Sequence, residues 1–250
     1  MITLYDLPSR FEDPNPTYSP FVGRVKLALQ HKGLPFTTHW IEYSEITAKA
    51  KEIGAPPTSI RPDGSPLYTV PFIFDSETNL AVSDSFLIVK YLDRTYPKSG
   101  PTLIPAGTDV LQNLFALDTA MAPLLPLYTF LRASIFHKLS PSMQEAYVKL
   151  GPPFDTQAHL KLGKEELKEL WTRMEAALGR IDGAMGERNT LVAEKQPTFA
   201  DAALWANLHV IKLVVGTNSE EWMAITSTWH NGRWGKYLSW LESYGQKDTI

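Results

Sequence analysis

Over roughly its first hundred residues the chain alternates short apolar runs with turn-forming segments. Beyond about residue 108 the apolar positions recur at helical spacing and strand signals vanish. Two unlike domains are predicted: an α/β domain over 1–96 and an all-helical domain over 109–250, joined by a linker at 97–108. Pro97, Gly100, Pro101, Pro105 and Gly107 crowd that linker and cannot continue a helix.

In the first domain, Ile2 to Leu7 predicts a short buried strand, and residues 21–32 a helix closed by Gly33. The expected buried face of that helix is Phe21, Val25, Ala28 and Leu29, with Arg24, Lys26 and Lys32 outside. Phe36, Thr38 and Trp40 alternate as a second strand. Val70 to Asp75 and Leu80 to Val82 supply two more, and residues 86–96 a helix with Ile88, Val89 and Leu92 inward. The order β-α-β, irregular segment, β-β-α is that of a thioredoxin-like domain. In the second domain helices are expected at 109–137, 165–186, 198–214 and 233–243, with 140–155 undecided. The first of these reads as one long buried helix bent at Pro123 and Pro126. Thr198-Phe199-Ala200-Asp201 has the spacing of a capping box, and the helix after it is apolar on nearly every side, as expected of a central core helix.

Composition narrows the function. A chain of 250 residues, 44% hydrophobic and 20% charged, can bury roughly 70–75% of its surface and form one or two globular domains. A formal charge of −3 offers no basic field for nucleic acid. With no cysteine, a disulfide framework, a thiolate metal site and a protein thiol nucleophile are all excluded. The start, Met1-Ile2-Thr3-Leu4-Tyr5-Asp6, lacks a basic n-region followed by an apolar stretch, so a cytoplasmic protein is expected. The most membrane-like segment, Phe115 to Leu131, carries Asp118 and falls short of the ~20 apolar residues that span a bilayer, so no membrane partner is expected. The six histidines show no metal-ligand spacing and no Gly-rich phosphate loop occurs, so no metal or nucleotide is expected.

Four local features carry candidate chemistry, each with a structural reading beside it. Ser19-Pro20-Phe21-Val22-Gly23-Arg24-Val25-Lys26-Leu27-Ala28-Leu29 opens the first helix, where Ser19, taken by itself, reads first as an N-cap with Pro20 at N1. Thr69-Val70-Pro71-Phe72 places a Val-Pro before a strand, which a proline also does simply to open one. Ser83-Asp84-Ser85 precedes the helix Phe86 to Leu92, where an acidic cap is common and free N–H groups suit an anion. The fourth feature is the capping box at Thr198.

In order and spacing these four resemble a serine-type glutathione transferase. The first segment is especially similar to the plant tau pattern. The resemblance implies a thioredoxin-like domain followed by an all-helical one, with Ser19 contacting the glutathione sulfur as the catalytic residue and Pro20 and Phe21 beside it. It implies a cis-proline at Pro71, with the Val70 backbone, next to Thr69, pairing with the cysteinyl unit. Asp84 and Ser85 would take the γ-glutamyl ammonium and carboxylate. Glutathione is thus the implied co-substrate, and a homodimer the implied assembly. Lys49, Lys51 and Arg61 stay open as partners of the glycine carboxylate. An insertion separating Leu7 from Ser19, with Gly54-Ala55-Pro56-Pro57 and the run Arg61 to Pro71, is similar to fungal proteins related to bacterial lignin β-etherases, the FuA class. That likeness implies conjugation of aromatic or hydrophobic electrophiles in detoxification, with ether cleavage or peroxide reduction as related chemistries, or ligandin-type binding of plant phenolics without turnover. Disulfide and dehydroascorbate reduction are disfavoured, since they generally need cysteine at the Ser19 position. The electrophile is expected between the domains, against residues 109–137 and the C-terminal end. Tyr128 and His137 are the main candidates, with Phe130, Phe136, Trp229 and Trp234 behind them, although each aromatic alone reads as core.

Overall fold

The structure, a computed structural model, describes residues 1–150, 155–193 and 195–244. The first domain runs β1 (Ile2–Asp6), α1 (Pro20–His31), β2 (Phe36–Trp40), α2 (Ile46–Glu52), β3 (Ser59–Ile60), β4 (Pro66–Leu67), β5 (Phe72–Asp75), β6 (Leu80–Ser83) and α3 (Ser85–Thr95). The main sheet has the order β2-β1-β5-β6, with β1 parallel to β2 and antiparallel to β5. On one face Ile2, Leu4 and Ile73 pack against Val22, Val25 and Leu29 of α1 and Ile88 and Leu92 of α3. On the other, Tyr5 and Phe72 meet Ile46 and Ala50 of α2 and residues of the helical domain. This is the thioredoxin-like arrangement with a helical domain packed upon it.

The segment expected to be irregular holds α2 and the small β3–β4 pair. Neither had a periodic signal, because α2 buries only Ile46 and Ala50 and the two strands have two residues each, mostly exposed. The expected buried face of α1 also needs correction. Phe21 is 40% exposed, whereas Arg24 and Lys32 are buried. Lys32 is accommodated because its Nζ pairs with Asp93 at 2.9 Å and donates to the Pro101 carbonyl at 3.2 Å. Asp93 in turn accepts from the N–H groups of Leu103 and Ile104, so one buried ion pair clamps the segment leaving α3. Gly100 completes the clamp. At φ 63° it sits where an added Cβ would lie 2.5 Å from the His31 carbonyl oxygen.

The helical domain contains α4 (Asp109–Leu114), α5 (Tyr128–Phe136), α6 (Pro141–Leu150), α7 (Ala158–Lys161), α8 (Lys164–Met185), α9 (Phe199–Val215), α10 (Glu220–Met223) and α11 (Arg233–Ser243). The single helix expected over 109–137 is broken. After α4 the chain takes a π-helical turn at Phe115–Thr119, loops, and enters α5 through a 3-10 turn at Leu125–Leu127. Pro123 and Pro126 have no N–H to return to the preceding turn, so the break follows from the chain's own chemistry. Of the undecided stretch 140–155, residues 141–150 form α6 and 151–154 lie outside the described residues. No described helix is long and apolar enough to cross a membrane.

As expected, α9 is the core helix, buried along almost its whole length. Its capping box is formed, and Asp201 does more than cap. Oδ2 accepts from the Thr198 N–H at 2.8 Å and hydroxyl at 2.6 Å, while Oδ1 accepts from Tyr237 Oη at 2.8 Å and the Leu191 N–H at 3.1 Å. Removing this carboxylate strands several buried donors, at roughly 1–3 kcal/mol each where they find no water. Asp201→Ala is therefore expected to lower the unfolding free energy by about 3 kcal/mol or more in a urea titration, with Asp201→Asn recovering part of it.

Candidate functional site

The sheet register brings three separate segments to one end of the fold. Leu4 of β1 lies opposite Ile73 of β5, so Asp6, at the end of β1, is carried to the start of β5. Phe72 lies opposite Ser83, which brings the β6–α3 junction to the same place. The loop from β1 leads into α1 and Ser19, the start of β5 follows Val70–Pro71, and β6 runs into Asp84–Ser85. Strand pairing thus brings the ends of β1, β5 and β6 together, and the loop and α1 carry Ser19 back to them.

Ser19 is the N-cap of α1, with its Oγ accepting weakly from the Val22 N–H at 3.4 Å. That bond uses a lone pair and leaves the hydroxyl proton available to an acceptor. The Val70–Pro71 bond is cis, as the resemblance implied. Val70 precedes the ladder, which begins at Phe72, and among the described residues its backbone has no strand partner. At the third segment Asp84 takes a positive φ of 77° and its Oδ1 accepts from the N–H groups of Phe86 and Leu87 at 2.9 and 3.0 Å. Its backbone carbonyl accepts from the Ile88 N–H. Among the described residues the N–H and hydroxyl of Ser85 then have no partner, a donor pair at a helix N-terminus that suits a carboxylate.

These observations agree with two family models. One for the glutathione S-transferase N-terminal domain matches residues 18–95, and one for the C-terminal domain matches residues 110–244. The chain belongs to the glutathione S-transferase family. A structure of the glutathione S-transferase CsGST63524 of Ceriporiopsis subvermispora, in complex with glutathione, is 31% identical with a TM-score of 0.86, covering 97% of each chain. Glutathione transferase GSTFuA3 from Phanerochaete chrysosporium is 32% identical with a TM-score of 0.82, covering 97% of this chain and 96% of that one. A glutathione S-transferase-like protein of Aspergillus flavus, ustS, is 22% identical over 97% of this chain and 92% of its own. The similarity to fungal transferases agrees with the class that the inserted loop and the Pro-rich run resemble.

The inserted loop of this transferase is anchored rather than loose. Thr17 Oγ1 donates to Asp6 Oδ2 at 2.7 Å, and Lys26 Nζ donates to Asn15 Oδ1 at 2.6 Å and to Thr17 Oγ1 at 3.3 Å. From the helical domain, His209 Nε2 bonds the Asn15 carbonyl at 2.8 Å, Lys212 pairs with Asp13 at 3.2 Å, and the Lys138 carbonyl accepts from the Arg10 N–H at 2.8 Å. The loop therefore delivers Tyr18 and Ser19 from a frame held by both domains. Buried Tyr18 donates its hydroxyl to Tyr43 Oη at 3.3 Å, and burial raises both phenols well above the ordinary range, so both stay neutral.

Sequence reasoning missed Arg24, one turn beyond Ser19. Its Nη2 donates to the Ala116 carbonyl at 3.0 Å, and its guanidinium lies 4.6 Å from the centre of the Phe21 ring. Burial pulls its pKa down to about 10 and the charge of Asp84 opposes that shift, which ties α1 electrostatically to the α3 junction. The signal was present: Arg24 shares a face with Ala28 and His31 at spacings of four and seven. Tyr128 and His137, the electrophile candidates, are not brought together. They stand at opposite ends of α5, roughly 13 Å apart along the axis and half a turn out of phase. Tyr128 lies beside Arg132, 5.6 Å from the ring centre, whereas His137 Nε2 bonds the Thr156 carbonyl at 3.0 Å. Phe130 and Trp229 pack against the helical core, and Phe136 meets the His137 ring edge-on. Trp234 is completely buried with its N–H on His230 Nδ1, so it is core and not a wall of any cleft.

Asp6, under the loop, gives a pH test. Burial raises its carboxyl from 3.8 to about 6, against the opposing bonds from Thr17 and Leu7 and the charge of Lys26. The folded protein thus holds a proton that the unfolded chain has already released, so this group's contribution to stability falls as pH rises from about 4 to about 6, by about 3 kcal/mol in all. Asp6→Asn removes that dependence. Urea titrations from pH 4 to 7 are expected to show the variant gaining on wild type across this interval and levelling off above it.

Proposed function

We infer that the protein is a cytosolic, homodimeric glutathione transferase in which Ser19 donates a hydrogen bond to the glutathione thiolate, and that it conjugates small hydrophobic or aromatic electrophiles. One observation carries the reading: the capped start of α1, the unpaired backbone at Val70 and the open donors of Ser85 follow or precede strand ends that the register brings to one end of the sheet. Each meets a different part of the tripeptide. Ser19 faces the sulfur, Val70 pairs with the cysteinyl backbone like an added strand, and Ser85 takes the γ-glutamyl carboxylate. Asp84 keeps Oδ2 for the ammonium, since Oδ1 is committed to the cap. For the glycine carboxylate Lys51 is preferred, because Lys49 pairs with Glu52 and Arg61 donates to the Pro66 carbonyl.

The energetics are sufficient. A thiol of pKa near 8.5 is about 3% ionised at pH 7, and lowering that pKa by two units takes about 2.7 kcal/mol. A charge-assisted bond from a hydroxyl supplies roughly 1.5–3 kcal/mol, and the helix N-terminus beneath it ~0.3–1. Ser19 acts as donor and not as nucleophile, so it needs no base. Glutathione attacks an electrophilic carbon, the new C–S bond forms, and the leaving group departs with the displaced electron pair.

The test pairs calorimetry of glutathione binding with the ultraviolet absorbance of the bound thiolate against pH, on wild type and Ser19→Ala. Wild type is expected to bind glutathione ionised near or below neutral pH. Ser19→Ala should bind within a few-fold as tightly, lose that ionisation, and fall roughly 10- to 100-fold in kcat/KM. An unperturbed thiol in both proteins overturns the mechanism and leaves a ligandin that sequesters aromatic compounds.

A further inference from the structure

A cleft of about 750 Å³ opens in the helical domain between α4 with its π-helical continuation and the C-terminal end of α8. Every residue lining it falls between Thr108 and Val192, so it shares no side chain with the segments that hold Ser19, Val70 and Ser85. Its volume lies in the range of small-molecule sites. Leu111, Phe115, Ile181, Met185 and Leu191 give it an apolar lining.

The polar groups are distributed unevenly. Gln112, at the buried side, has none left over: its amide nitrogen donates to Thr108 Oγ1 at 2.8 Å and to the Leu103 carbonyl at 3.4 Å, and its oxygen accepts from the Ala200 N–H. Arg180 and Arg188 are exposed and, among the described residues, neither has a carboxylate partner. Asp182 and Asp109, beside the two walls in sequence, are committed elsewhere, to Arg233 and Lys90, and Glu187, next to Arg188 in the chain, is exposed and does not line the cleft. Asp118 alone among the lining residues is acidic. The cleft therefore has an apolar body and a rim of two cations against one anion, complementary to a single negative charge on an apolar ligand. Planar guanidinium forks favour a carboxylate.

We propose that this cleft binds an amphipathic monocarboxylate, its apolar body between α4 and α8 and its carboxylate at Arg180 and Arg188, independently of the glutathione site. The π-helical turn that supplies Phe115, Asp118 and Thr119 fits this role, since such turns recur at ligand sites. Decanoate and 2-naphthoate, titrated by calorimetry into the full chain, distinguish an alkyl from an aryl ligand. At least one is expected to bind with a stoichiometry of one per chain. The double variant Arg180→Gln/Arg188→Gln should weaken it tenfold or more, and Ala184→Trp, at an exposed lining position, should abolish it. Saturating S-hexylglutathione should leave it unchanged. Failure of both acids to bind, affinity indifferent to these variants, or displacement by S-hexylglutathione overturns the proposal. So does sedimentation showing that the acids act by splitting a dimer, which would make the cleft an interface between copies.

Discussion

How closely α1 approaches α9 fixes the geometry on which everything else depends. Gly23 is the contact point: a Cβ there would stand 3.1 Å from the Ala206 Cβ and 3.7 Å from the Trp205 ring, so even one methyl forces the helices to give. The next residue, Arg24, reaches across to the Ala116 carbonyl, and Asn207 of α9 donates to the Ala120 carbonyl. At the other end of α1, His31 Nε2 bonds the Leu241 carbonyl of α11 at 2.8 Å. The helix that begins at Ser19 is thus positioned as much by the helical domain as by the sheet beneath it.

The seam combines apolar contacts, such as those of Leu27, Ala28 and Val89 with the helical core, with a set of buried polar groups. Burial pulls the His31 and His209 imidazoles down to about 4, so both stay neutral at physiological pH while each bonds a main-chain carbonyl. Arg24 keeps its charge at the expense of desolvation, and Asp84 offsets part of that. Groups of this kind contribute little net stability but tolerate few alternative packings, because a shift of either domain leaves a buried donor unmatched. They also hold the inserted loop, through Asn15 and His209, in one arrangement against α9.

What the sequence disclosed follows the range over which each signal acts. The starts of α1, α3 and α9 were legible because a cap is written within four residues. The same holds for the Val-Pro before β5 and for the apolar α9. Arg24 and Lys32 were misplaced because charge was taken to mean exposure, whereas their partners, Ala116 and Asp93, lie 92 and 61 residues away. The break between α4 and α5 was read as a bend because two prolines announce an interruption without saying how far it extends. The cleft at Arg180 had no local signature, since its walls join residues of α4 to the end of α8 only through tertiary packing.

Asp84 shows why capping and ligand binding need not be rival readings of one motif. Ser19, Thr198 and Ser219 occupy N-cap positions at ordinary negative φ, of −81°, −126° and −73°. Asp84 does so at +77°, a region that costs a non-glycine residue of order 1–3 kcal/mol. Stability alone would favour a residue at this position that caps without the strain. The strained cap instead directs Asp84 Oδ1 to the second and third N–H groups of α3 and its own carbonyl to the fourth. The first, Ser85, is left open beside its hydroxyl. Strain held where donors stand unpaired, at the sheet end shared with Ser19 and Val70, is consistent with a helix start shaped around an anion rather than for its own closure.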